Sequence, residues 1–151
     1  MGDQYVRFNC HNVEGYADAL GRAMSKGHSP AEAKRRLCED FDFAREYQFN
    51  SVAFIKNDRL SNDPKQWGKM DEEGGYDIDS IMHYASYAFG DLGECYKDMN
   101  NCPLLRIKKD AEGKEIGTAL IGVPDHLSQG DIAWVKKYYC WPAVADQACP
   151  T

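Results

Sequence analysis

Apolar residues recur at Val13, Tyr16, Ala17, Leu20 and Met24, three or four positions apart, which is the spacing of one face of a helix. Gly27 is placed to stop that helix, because glycine readily adopts the left-handed conformation that closes a helix C-terminus. A second helix is predicted from Ser29, a good N-cap, with Pro30 at the first helical position and Glu32 completing a capping box. It should run to about Cys38. The aromatic-rich stretch Phe41, Phe43, Tyr47, Phe49, Val52, Phe54 and Ile55 reads as core. Residues 56–75 are polar and read as a long loop, with the acidic run Asp71-Glu72-Glu73 as a solvated part of it. Gly90 to Pro103 reads as irregular. Leu104-Leu105-Arg106-Ile107 is a candidate short strand, with Ala119-Leu120-Ile121 as its partner across the turn signal Asp110-Ala111-Glu112-Gly113. A last helix is predicted from the cap Ser128, with Asp131 at its third position and Ile132, Val135 and Tyr139 as its apolar stripe, ending near Cys140. No repeat or linker divides the chain. The pattern is that of one α+β domain, mostly helical and irregular.

Composition narrows the class. A hydrophobic fraction of 43% and an aromatic fraction of 12% argue against disorder. The formal net charge of -6 leaves no basic footprint, so nucleic acid is not an expected partner. No apolar run reaches the roughly 20 residues that span a bilayer, so no membrane helix is expected. Six cysteines in 151 residues suggest an oxidising compartment. Their spacing does not suit a zinc knuckle: there is no CxxC, and six residues separate Cys95 from Cys102. Six cysteines allow fifteen pairings, and reduced buried thiols in a cytosolic protein are the alternative. The N-terminal Met1-Gly2-Asp3-Gln4-Tyr5-Val6-Arg7 has no basic region followed by an apolar one, as a secretory leader would. Read with the cysteines, this points to a fragment or a misplaced start.

The most specific pattern is Ser80-Ile81-Met82-His83-Tyr84, led in by Tyr76-Asp77-Ile78-Asp79. It closely resembles the Met-turn of the astacin family of zinc endopeptidases, S-x-M-H-Y. Leu127-Ser128-Gln129-Gly130-Asp131-Ile132, continuing to Tyr138-Tyr139-Cys140, resembles the closing helix of the same family. Ile121-Gly122 resembles the element preceding that helix. Asp3-Gln4-Tyr5-Val6 is similar to the segment that follows the family's zinc motif, and the Cys10 and Cys38 pattern with its two helices resembles the fungal branch. The matches fall in order along nearly the whole chain but correspond only to the second half of a catalytic domain. The fold this implies is a metzincin-like C-terminal subdomain with a Met-turn and a C-terminal helix, lacking the N-terminal sheet and the zinc helix.

The resemblance implies a secreted enzyme that hydrolyses peptide bonds in protein or peptide substrates. In the family, HExxHxxGxxH supplies three zinc ligands and a general base. Zinc lowers the pKa of its bound water to about 7. The turn's methionine forms a soft base under the metal, and its tyrosine switches from resting ligand to oxyanion partner. By resemblance these are Met82 and Tyr84, although Met82 also reads simply as a packed core residue. Nothing in the chain matches the three histidines or the glutamate. His11, His28, His83 and His126 include no pair at i, i+4, and a phenol with a pKa near 10 is a poor ligand on its own. Tyr84 is therefore an auxiliary ligand only if the zinc motif is supplied, and the chain as written is expected to bind no zinc and to be inactive. His83 reads as a structural hydrogen-bonding histidine. Spacing and the resemblance together pair Cys10 with Cys38 and Cys95 with Cys102, leaving Cys140 and Cys149 open.

Two functions follow. One is the C-terminal half of a secreted zinc endopeptidase, its first half lying upstream of Met1. The other is a non-catalytic secreted interaction module that keeps the protease scaffold. The second expects a folded, monodisperse chain that binds no zinc; the first, with the zinc helix removed, expects the surface around Met82 and the aromatic stretch to be uncovered, with weakly cooperative unfolding as the result.

Overall fold

The computed structural model describes residues 4–55 and 76–139. The predicted loop over residues 56–75, its acidic run Asp71-Glu72-Glu73, the opening Asp3, and Cys140 and Cys149 lie outside the described residues. The fold is α+β; the described residues form five α-helices and a three-stranded antiparallel sheet. In chain order these are β1 (Val6–Phe8), α1 (Tyr16–Ser25), α2 (Pro30–Glu39), α3 (Phe41–Glu46), α4 (Leu92–Lys97), β2 (Leu104–Lys109), β3 (Glu115–Ala119) and α5 (Gln129–Tyr138).

Helices α1, α2 and α3 enclose the larger core: Cys10, Val13, Ala19, Ala23, Ala33, Leu37, Phe43, Tyr47 and Phe49. The helix signals hold at α2. Ser29 Oγ accepts from the Glu32 N–H at 3.3 Å, while the Glu32 carboxylate turns toward His28 and Arg36 rather than back to the cap. Gly27 has φ of 95°, the left-handed stop expected after α1. The face of α1 differs from the expected one. Ala19 and Ala23 are fully buried with Tyr16 and Leu20 beside them, whereas Ala17 and Met24 are exposed. Small residues form the inner stripe because α1 packs on a surface of α2 that is itself Ala33 and Leu37. The Cys10–Cys38 disulfide joins the start of this unit to the end of α2.

The aromatic stretch is core, as expected, at Phe43, Tyr47 and Phe49, whereas Phe41, Val52, Phe54 and Ile55 are only half-buried. It folds as α3, capped by Asp40 accepting from the Phe43 N–H at 3.0 Å, and then a 3₁₀ turn over Asn50–Ala53. Buried Ser51 donates to the Leu37 carbonyl at 2.6 Å, so it carries no unmet hydrogen bond.

Strand β2 is central, pairing Leu104 with Phe8 of β1 and Arg106 with Ala119 of β3. The predicted partner over Ala119–Ile121 lies mostly too far along the chain. A bulge between Lys108 and Lys109 and the Asp110 turn bring Glu115–Ala119 into register instead. The stretch Gly90 to Pro103 holds a helix, α4, capped by Asp91, and is closed by the Cys95–Cys102 disulfide. These two cysteines and Leu105 form a second, smaller core.

Helix α5 begins as predicted, with both halves of the Ser128–Asp131 capping box formed. Its apolar stripe is not core: Val135 and Tyr139 are exposed. None of Gln129 to Lys137 is buried, because the helix is held by its first turn rather than by its face. Among the described residues no helix is long and apolar enough to cross a membrane.

Candidate active site

The chain from Tyr76 to Tyr84 has no regular secondary structure, so side chains must fix its shape. Asp131, on the first turn of α5, does most of this. One carboxylate oxygen accepts from Ser80 Oγ at 2.6 Å; the other accepts from the Ile81 N–H and the Ser128 N–H, both at 2.9 Å. Ser128 Oγ accepts from the Asp131 N–H at 2.9 Å and donates to the Asp77 carboxylate. The other Asp77 oxygen accepts from the Asp79 N–H at 3.2 Å. Gly130 leaves room for this arrangement, since a Cβ there would collide with the Asp77 carboxylate. These donors, first among them the Ser80 hydroxyl and then the Ile81 and Ser128 amides, hold the Asp131 carboxyl down at about 2.

His83 bridges the two ends of the motif. Its Nδ1 lies 2.8 Å from the Tyr84 carbonyl oxygen, and its Nε2 lies 2.6 Å from the Tyr76 hydroxyl. A carbonyl only accepts, so Nδ1 carries the proton and Nε2 accepts from the tyrosine. Burial pushes the Tyr76 phenol above its usual range, which keeps it the donor. The histidine is thus the hydrogen-bonding residue expected of it. Tyr76 also stacks on Tyr5, with centroids 5.2 Å apart and planes within 7°.

A cavity of about 270 Å³ opens beside the turn. Val6, Phe8 and Leu104 of the sheet form one wall, Ala53 and Phe54 a second, and Tyr76, Met82, His83 and Tyr84 the third. Tyr84 is half-exposed, with its ring edge-on to Phe54 at 5.6 Å and to Phe89 at 5.9 Å. Met82 is 83% exposed, so the expectation that it packs as core fails in this chain. Its N–H donates to Ser80 Oγ at 3.2 Å.

Both ring nitrogens of His83 are engaged, and among the described residues no three His, Cys, Asp or Glu side chains converge to hold a metal ion. The residues described here do not fit a zinc site.

The structure thus brings together Tyr5, Val6, the 76–84 turn and the start of α5, which are far apart in sequence. Ile121 joins them through Ser86, whose hydroxyl accepts from the Ile121 N–H at 2.7 Å and whose own N–H donates to the Ile121 carbonyl at 3.0 Å. Sequence reasoning missed three contributors. Asp131 reads as a helix cap and gives no local sign of reaching Ser80. Ser86 sits in a stretch with no periodicity. Phe89 carries no signal apart from being an aromatic residue beside a glycine. No protein-family model, no curated protein and no solved structure matches the chain.

Proposed function

We propose that this chain forms the Met-turn side of the cleft of an astacin-like, secreted endopeptidase, with Met82 as the floor and Tyr84 as the oxyanion-side tyrosine. The observation that carries the reading is the Asp131 clamp, which locks the Ser80–Tyr84 turn onto the closing helix beside an open apolar cavity. Around that junction lie Tyr5 and Val6, the Ser80–Tyr84 turn and the first turn of α5, whereas the Cys10–Cys38 pair lies with the helical core. The chemistry left to these residues is positioning: a phenol at the cavity mouth can donate a hydrogen bond to a carbonyl oxygen as negative charge develops there. The histidine ligands and the general base belong to HExxHxxGxxH, which these 151 residues lack. Alone, the chain is not expected to cleave peptides.

The test is to join the N-terminal half of an astacin-type catalytic domain, ending in HExxHxxGxxH, ahead of Tyr5. The fusion is expected to bind zinc and to cleave an unstructured protein such as casein. Tyr84→Phe should lower its kcat by about 10²-fold while zinc stays bound. A folded, zinc-loaded fusion that is inactive, or one indifferent to Tyr84→Phe, would overturn the proposal. The exposure of Met82 and the lack of a metal-holding cluster among the described residues favour one second reading: a non-catalytic interaction module on the same scaffold. That reading expects a monodisperse chain whose fusion gains no activity.

A further inference from the structure

Phe89 has φ of 59°, a left-handed backbone that glycine adopts freely and an aromatic residue rarely does. Burial does not account for it, because the residue remains 41% exposed. The surroundings hold the backbone in place from both sides. The Phe89 carbonyl accepts from the Glu14 N–H at 2.7 Å, and the next residue, Gly90, bridges to Val13 and donates to the Tyr87 carbonyl at 2.9 Å. Gly90 is itself pressed against Pro103, where a Cβ would come within 2.5 Å of the proline ring. A strained residue that is over-determined by its neighbours, beside a cavity, invites a functional explanation.

What the strained backbone achieves is the placement of one ring. Phe89 stands edge-on to Tyr84, with centroids 5.9 Å apart and planes at 75°. It also stands edge-on to Phe54 at 5.6 Å, and Phe54 is edge-on to Tyr84 at 5.6 Å. Each of the three rings therefore touches the other two, in the arrangement that aromatic quadrupoles favour. We propose that Phe89 is a positioning residue that fixes the Tyr84 ring at the mouth of the cavity. The inference rests on the peptidase reading for the task of Tyr84, but not for the contact between the rings.

Nuclear magnetic resonance of the full chain with ring-labelled tyrosines tests it, the Tyr84 signals being assigned with Tyr84→Phe. Phe89→Gly and Phe89→Asn both tolerate the left-handed backbone and both remove the ring. In each, the Tyr84 ring signals are expected to move to those of an exposed, mobile tyrosine, with the Phe54 cross-peaks lost. Tyr16 and Tyr47, in the helical core, should stay where they are. Phe89→Tyr, which restores a ring, should restore the Tyr84 signals. Unchanged Tyr84 signals in both ring-less variants would overturn the proposal. So would Tyr16 and Tyr47 moving together with Tyr84, since Phe89 would then merely support the fold. In the zinc-motif fusion, Phe89→Gly should lower kcat by about tenfold or more with KM unchanged, and an unchanged kcat would remove the functional role. If the parent fusion is inactive, the peptidase reading fails while the resonance experiment still judges Phe89.

Discussion

The Asp131 carboxylate accepts three hydrogen bonds, from Ser80 Oγ on one oxygen and from the Ile81 and Ser128 amides on the other. Its carboxyl titrates at about 2, against about 3.9 for an unperturbed aspartate. The native state thus binds fewer protons than the unfolded chain between those values. The stability this contributes is complete above about pH 4 and is lost as pH falls toward about 2. Asp40, lowered chiefly by the Phe43 amide at the start of α3, acts in the same direction. The expected outcome is therefore a difference: melting temperatures of the parent chain and Asp131→Asn should converge as pH is lowered from about 4 to about 2. Parallel profiles across that range would show that ionisation of Asp131 is not linked to stability. Little of this was legible beforehand. Helix-cap logic finds Asp131 because Ser128 is three residues away, but Ser80 is separated from it by 51 positions and lies in a segment without periodicity.

At the scale of elements, signals succeeded where the responsible chemistry is local. Ser29-Pro30 and Ser128 mark the starts of α2 and α5 because capping involves residues three apart. The face of α1 was misjudged because side-chain size, rather than hydrophobicity alone, decides what fits against Ala33 and Leu37. Strand β1 passed unnoticed, since three residues are too few to show alternation, and its partner Leu104–Leu105 comes from almost 100 positions away. The two disulfides among the described residues close loops of very different length, with separations of 28 and 7 residues. In the chain-entropy account the first contributes about 3 to 4 kcal/mol and the second about 2 kcal/mol. Replacing Cys10 and Cys38 by alanine should thus lower the denaturant midpoint more than replacing Cys95 and Cys102. Equal losses, or the reverse order, would mean that the small core around Leu105 depends on its bridge for packing and not for chain entropy alone.

For the molecule as a whole, buried apolar surface is unevenly shared. The larger cluster lies in α1 to α3 and the turn after them, and is tied by Cys10–Cys38. The second cluster is only Cys95, Cys102 and Leu105 with Tyr87 against it. The site meets the larger cluster only at its edge, through Phe8 and Phe54: Met82 and half of Tyr84 face outward, and α5 buries none of Gln129 to Lys137. The expected exposure of apolar surface is thus real around the turn and reaches the aromatic stretch only at half-buried residues such as Phe54, while Phe43, Tyr47 and Phe49 are buried. Weak cooperativity should accordingly be local rather than global. Few buried contacts and exposed backbone hydrogen bonds favour local opening, whereas a closed core exchanges only when the unit unfolds. Native-state hydrogen exchange should then show α1 and α2 amides protected at least about 10²-fold more than those of α5. Ser128→Ala, which removes the cap that α5 shares with the turn at a cost of about 1 kcal/mol, should speed exchange in α5 and leave α1 and α2 unaffected. If instead the variant lowers protection equally in all three helices, the clamp is coupled to the helical core, and turn, closing helix and core open as one unit.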